Sequence, residues 1–199
     1  QEQMQAQVNS PTYLAGLWRR DGQGGIVDPA RLCWGLKRVL LELGVRIFEN
    51  TPLDTCNPQG NNEMQSVCLG HTIISKKVLM ATNGYHNPIR AVSRTTIPVW
   101  DYQMATEPLN QEQLDAIGWH KTRHAIGNHA NMFHYYRVTQ DNRITWGGGG
   151  AVRYYFNKNT DFKACADIHE RFEQLSKEFF ETFPQLNGLK FSHRWSGII

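Results

Sequence analysis

The sequence is poor in the features that most often give a function away. Its four cysteines, Cys33, Cys56, Cys68 and Cys165, show no Cys-x-x-Cys spacing, which excludes the common zinc and thioredoxin-like motifs and a disulfide-stapled miniprotein. They read as four reduced thiols of a cytoplasmic protein, with Cys33 inside an apolar helical pattern where a free thiol packs well. Charge of one sign is also scarce: 21 Lys and Arg against 18 Asp and Glu leave a net +3. The basic residues are scattered and form no phosphate-tracking stripe, so nucleic acid is not an expected partner. No apolar run approaches the roughly 20 residues that span a bilayer. The Gln-rich start resembles no signal peptide, and there is no internal repeat or low-complexity tract.

What remains is the composition of a globular protein. Hydrophobic residues make up 40% and charged residues 20% of 199 positions, enough for one large domain or two lobes with a substantial core. The most informative stretch runs from Lys77 to Tyr85. Val78, Leu79 and Met80 read as a short buried strand, stopped by the turn Ala81-Thr82-Asn83-Gly84. Such a strand suits an α/β layer covered on both faces. A turn of small residues lets backbone approach a flat ligand, and ligands of open α/β sheets bind outside the carboxyl ends of strands.

Asp28, Pro29 and Gly44 punctuate a helix. Asp28 is placed to accept from first-turn amides, Pro29 suits the first helical position, and Gly44 closes the end. Leu32, Leu36, Val39, Leu40 and Leu43 form one apolar stripe between them. Val45 to Phe48 then reads as a strand, the second half of a βαβ crossover. Residues 1–10 read as the tail of a polar helix, and Arg20 to Gly24 as a turn. Met64 to Leu69 and Thr72 to Ile74 are predicted strands of a small meander, with Asn57 to Glu63 a polar turn. A long strand is expected over Ile97 to Thr106 and a short helix over 110–117, capped by Asn110. Met132 to Val138 and Arg143 to Trp146 make a hairpin across residues 139–142. Ile168, Phe172, Leu175, Phe179 and Phe183 repeat at helical spacing until Pro184 stops them. Leu189 to Ile199 reads as a final strand. A chain that finishes on apolar strand residues reads as cut rather than completed.

Three constellations carry chemistry. Gly147 to Gly150 follows a strand but precedes Ala151-Val152-Arg153-Tyr154-Tyr155-Phe156, which is strand-like; a phosphate loop needs a helix there. The run reads instead as backbone passing close to something flat, or as a flexible turn. His120, His124, His129 and His134 crowd fifteen residues, yet the loop formers between them and the lack of an acidic or thiol ligand argue against a metal. The aromatic set is the third. Trp100 and Tyr102 share a strand face, as do His134 and Tyr136, with Trp146 on the partner strand. A sheet that gathers Tyr, His and Trp can wall a pocket for a small amine or amino acid. The alternative is that these rings are core. We take Tyr102, His134, Tyr136 and Trp146 as candidate pocket walls; no catalytic residue follows from residue order.

Gly25 to Leu32, Gly44 to Leu53, the Val78 to Tyr85 turn, Ile97 to Tyr102, Ala105 to Leu109, His134 to Arg137, Phe183 to Leu186 and His193 to Trp195 together resemble the D-amino-acid oxidase/glycine oxidase-like family of FAD-dependent oxidoreductases. Within it the likeness is to amine oxidoreductases of the gamma-glutamylputrescine oxidase type, over nearly the whole chain. The resemblance implies an α+β fold: a partial FAD-binding α/β lobe over residues 1–93 with a small meander, and a mixed, largely antiparallel substrate-domain sheet over 94–199 with helices on one face. It implies FAD as cofactor, with Leu53, Thr82, Asn83 and Gly84 beside it, and a small amine or amino acid as substrate, oxidised by hydride transfer to flavin. The family's strand-Gly-x-Gly-x-x-Gly-helix unit and its glycine-containing final flavin segment have no counterpart here. The expectation is therefore the central portion of an oxidase that does not hold FAD by itself and self-associates through exposed edges. The rival reading is a free-standing, non-catalytic ligand-binding or interaction module.

Overall fold

The computed structural model describes residues 2–19, 22, 24–85, 87–154 and 165–199. The expected turn at Arg20 to Gly24 falls partly outside these residues, as do Tyr155 and Phe156 of the expected strand. The chain forms two compact units: residues 25–96, and residues 97–199 together with 1–24. The boundary thus lies at 96/97, and the first 24 residues pack with the second unit rather than the first.

Residues 25–96 begin with the helix that the punctuation predicts. After a four-residue helix α1 (Glu2–Gln5) in the other unit, helix α2 spans Pro29–Glu42, and Asp28 caps it by accepting from the Arg31 amide at 3.1 Å. At its end Gly44 adopts φ 81°. There Gly44 N–H reaches Leu41 O and Val45 N–H reaches Leu40 O, each at 3.0 Å, the paired bonds that satisfy terminal carbonyls when a helix stops in a left-handed residue. No residue of α2 is buried; Leu36, centred on the apolar stripe, keeps 54% of its surface exposed.

The strand expected at Val45 to Phe48 does not form, nor does the one at Val78 to Met80. Leu79 is 92% exposed. Both segments have the right composition but no hydrogen-bonded neighbour among the described residues, and a strand exists only as part of a ladder. Every strand pairing in the described residues is antiparallel, so the parallel βαβ layer expected around α2 is not found there.

The meander is larger than predicted. Strand β1 (Leu53–Gly60) pairs with β2 (Glu63–Cys68), which pairs with β3 (His71–Ser75). The polar turn expected from Asn57 to Glu63 shrinks to Asn61 and Asn62, at φ 52° and 58°. Two successive left-handed residues are the hairpin turn whose twist matches its strands, and asparagine tolerates that conformation. The short helix α3 (Arg90–Thr95) closes this unit.

The second unit is one six-stranded sheet against helices. Strand β4 (Val99–Thr106) is its axis. On one side it meets β7 (Ile144–Gly148) and β8 (Arg153–Tyr154), and on the other β9 (Phe191–Ile198). Beyond β7 come β6 (His134–Val138) and the two-residue β5 (Ile126–Gly127). Helix α4 (Gln111–Ile117) carries a full capping box: Asn110 accepts from the Gln113 amide and the Gln113 side chain accepts from the Asn110 amide. Helix α5 (His169–Thr182) covers one sheet face. Phe172, Leu175 and Phe179 of α5, with Phe183 just beyond it, pack on Trp100, Tyr102 and Met104 of β4, on Tyr136 of β6 and on Trp146 of β7. Each such side chain contributes about 1.5–3 kcal/mol by leaving water. The N-terminal segment is tied on by Asn9 N–H to Ile117 O at 2.8 Å and by the Ser10 hydroxyl, which donates to Thr182 O at 2.6 Å.

Candidate functional site

Alternation along β4 gives the large sheet two faces of different character. Trp100, Tyr102 and Met104 face α5; Asp101, Gln103 and Ala105 face the other way. The register carries this across the sheet. Gln103 lies opposite Gly147 on β7 and Trp195 on β9, and Gly147 lies opposite Tyr135 on β6. The second face therefore gathers Asp101, Gln103, Tyr135 and Trp195.

The four aromatic candidates from the sequence fall on the first face. Tyr102 is fully buried and its hydroxyl donates to Cys165 O at 2.5 Å. Trp146 is 1% exposed, with His134 stacked on it at 4.3 Å between ring centroids and Tyr136 at 4.6 Å. Phe179 and Phe183 meet Trp146 edge-on at 5.6 and 6.2 Å. The His134 ring puts Nδ1 3.1 Å from Gly147 O and Nε2 3.0 Å from Glu178 Oε2 on α5. The structure thus brings His134, Tyr136 and Trp146 together as predicted, in the layer beneath α5 rather than around an open space.

Each glycine of the run has a close neighbour: Gly147 has Gln103 and Gly150 has Gln174. A Cβ on Gly149 would fall within the His134 imidazole, and one on Gly148 would collide with the Phe133 carbonyl and lie 3.2 Å from the Tyr135 ring. Gly148 and Gly149 also hold φ 79° and 64°. The backbone does pass close to something flat: two of the protein's own side chains.

The opposite face is where polar groups meet solvent. The Tyr135 hydroxyl donates to Asp101 Oδ2 and accepts from Gln103 Nε2 at 2.6 Å. Asp101 is 6% exposed, Tyr135 37% and Trp195 44%. Burial pushes the Asp101 carboxyl above the ordinary carboxylate range; the Tyr135 hydroxyl, the Tyr102 and Gly148 amides and nearby His134 oppose that rise. Burial also raises the Tyr135 phenol, with Asp101 adding to it. An open carboxylate–phenol–amide cluster beside an exposed indole can bind and orient an amine through hydrogen bonds and cation–π contact. The sequence reading missed Asp101, Gln103, Tyr135 and Trp195 as a set. The available signal was the polar alternation Asp101, Gln103 within an otherwise apolar strand.

The predicted cofactor residues lie in the first unit. Leu53 opens β1. Thr82 to Tyr85 form a turn closed by Tyr85 N–H to Thr82 O at 3.1 Å, with Asn83 at φ 51°. Thr82 Oγ1 accepts from Asn87 Nδ2 at 3.3 Å. Of the histidine run, His124 sits 5.2 Å from the Trp18 ring and 6.3 Å from Trp119, while His134 lies under α5. Among the described residues no cluster of three or more His, Cys, Asp or Glu is placed to hold a metal.

The fold of the chain recurs in solved structures. The chain superposes on L-proline dehydrogenase from P. horikoshii with a TM-score of 0.60 at 21% identity, over 86% of this chain and 43% of that one. For glycine oxidase from Geobacillus kaustophilus the TM-score is 0.62 at 14% identity, over 84% and 40%. The chain belongs to the FAD dependent oxidoreductase family (DAO), whose description matches residues 1–199. It is 28% identical over 198 residues to oxidoreductase OrdL of Haemophilus influenzae. Against gamma-glutamylputrescine oxidoreductase of Escherichia coli it is 25% identical over 193 residues. It spans 41% of the length of each of these relatives.

FAD is the group this family implies, and the described residues do not fit all of it. The sequence contains no Gly-x-Gly-x-x-Gly. The Arg31 amide at the start of α2 donates to the Asp28 carboxylate, a charge that repels a pyrophosphate. The Thr82–Gly84 turn offers small side chains for a cofactor edge and no cradle for its phosphates.

Proposed function

We propose that this chain is the central portion of an FAD-dependent oxidoreductase that oxidises an amine or amino acid, with the sheet of residues 97–199 forming its substrate side. One observation carries the reading: the hydrogen-bonded cluster of Asp101, Tyr135 and Gln103 beside Trp195, on the sheet face that α5 leaves open. Tyr102, His134, Tyr136 and Trp146, expected as pocket walls, lie on the other side of the same sheet, beneath α5. Leu53, Thr82, Asn83 and Gly84 are the residues this reading sets beside the cofactor. In the complete enzyme a bound flavin would supply the redox chemistry, as the acceptor for a hydride from the carbon next to nitrogen. The protein's task is to hold that carbon still, deliver a neutral amine and exclude water. Family membership and the amine and amino-acid relatives support this reading.

On this reading the isolated chain does not retain FAD, because among the described residues no glycine turn opens a helix toward the pyrophosphate. The check is to incubate the purified chain with excess FAD, remove free cofactor by gel filtration and record the flavin absorbance. The expected spectrum shows no flavin band and no amine-dependent peroxide. One bound flavin per polypeptide would contradict the proposal.

A further inference from the structure

Residues directly opposite one another on neighbouring strands share a sheet face, so register sorts the open face of the large sheet into rows. Arg137 lies opposite Thr145, Thr145 opposite Ala105, and Ala105 opposite His193. Tyr135, Gly147, Gln103 and Trp195 form the next row, and Asp101 with Gly197 the one after. In these rows the acid stands at one end and the two bases at the other, with the Tyr135–Gln103 hydrogen bond between them. From Ala105 back to Asp101 is roughly 13 Å by strand rise. Arg137 is half-buried, and neither its guanidinium nor the Thr145 hydroxyl has a hydrogen-bond or ion-pair partner among the described residues. A guanidinium is always charged, and its planar fork fits a carboxylate through two parallel bonds.

We propose that Arg137 and Thr145 form a carboxylate subsite for a substrate whose anionic group lies several bonds from its amine, a deepening that rests on the open face being the substrate side. The guanidinium donates two N–H bonds to the carboxylate, and the Thr145 hydroxyl donates a third. The amine end then lies over the row of Tyr135, Gln103 and Trp195, toward Asp101. An α-amino acid does not fit this arrangement, because its nitrogen and carboxylate hang on one carbon and reach one row only. An ω-amino acid, with a run of methylenes between its charges, reaches both. The order of charges also orients it. Reversed, the ligand would set its carboxylate against Asp101 and its ammonium against Arg137, like against like, which costs binding. Arg137 and Thr145 are specificity residues in this scheme; they touch no reacting atom.

The test follows the Trp195 indole N–H signal of the chain during titration with 6-aminohexanoate. Two controls are 6-aminohexanamide, which lacks only the negative charge, and norleucine, the α-amino acid with the same atoms. 6-Aminohexanoate is expected to bind about tenfold tighter than either, the gain from hydrogen bonds between charged groups. In Arg137→Gln it falls to the level of the amide, and Thr145→Val loses part of the gain. Equal affinity for 6-aminohexanoate and its amide, or a preference that survives Arg137→Gln, would overturn the subsite while the amine-induced shift of Trp195 leaves the substrate face standing. No shift of Trp195 with any of the three ligands would overturn both.

Discussion

At the scale of single residues, the sheet's two faces show what alternation can and cannot reveal. Period-two spacing correctly grouped His134 with Tyr136 and set Trp146 beside them. It could not say which face the group occupied. The aromatic stripe of α5 held the answer, because Phe172, Phe179 and Phe183 need a cover and the aromatic sheet face is the one that matches. Asp101 is the exception on the open side, a carboxyl nine-tenths removed from water. Its folded-state pKa lies above the ordinary value of 3.8, so the native state binds this proton more tightly than the unfolded chain does. The sign follows: the burial penalty is absent below the unfolded pKa, and stability is lost as pH rises through the folded one. Asp101→Asn keeps an acceptor for Tyr135 and removes the charge. Its stability relative to wild type should therefore be smallest near pH 3 and grow as pH rises, read from urea midpoints of both proteins at each pH. A pH-independent gap would refute the assignment.

At the scale of elements, the well-predicted ones are those with their own punctuation. α2 and α4 carry caps whose bonds form as the sequence indicates, and Pro184 ends α5 where expected. The hairpin of β6 and β7 is equally local. What failed depended on partners. Val45 to Phe48 and Val78 to Met80 have strand composition but no ladder among the described residues. β1 was missed for the opposite reason: Asp54, Asn57 and Pro58 look like loop, and pairing with β2 overrides that preference. The contrast between helices is measurable. Leu175 on α5 is fully buried and Leu36 on α2 is 54% exposed. Leu175→Ala should cost about 2–5 kcal/mol in urea unfolding, whereas Leu36→Ala should stay within about 0.5 kcal/mol. Equal losses would mean that α2 is packed as α5 is.

At the scale of the whole molecule, the α+β class and the family were both legible, because the order of weak motifs is jointly specific even where each motif is common. The division of labour was less legible. The N-terminal segment joins the second unit through Asn9 and Ser10, contacts more than a hundred residues distant in sequence that no local pattern encodes. If the proposed function is right, the face of the large sheet bearing Trp195 meets the amine and the face bearing Trp146 does not. Following the indole N–H signals of both tryptophans during an n-butylamine titration tests this most directly. The account predicts that Trp195 shifts with Tyr135 while Trp146 stays fixed. A shift centred on Trp146 and Tyr136, with Trp195 unmoved, would contradict it.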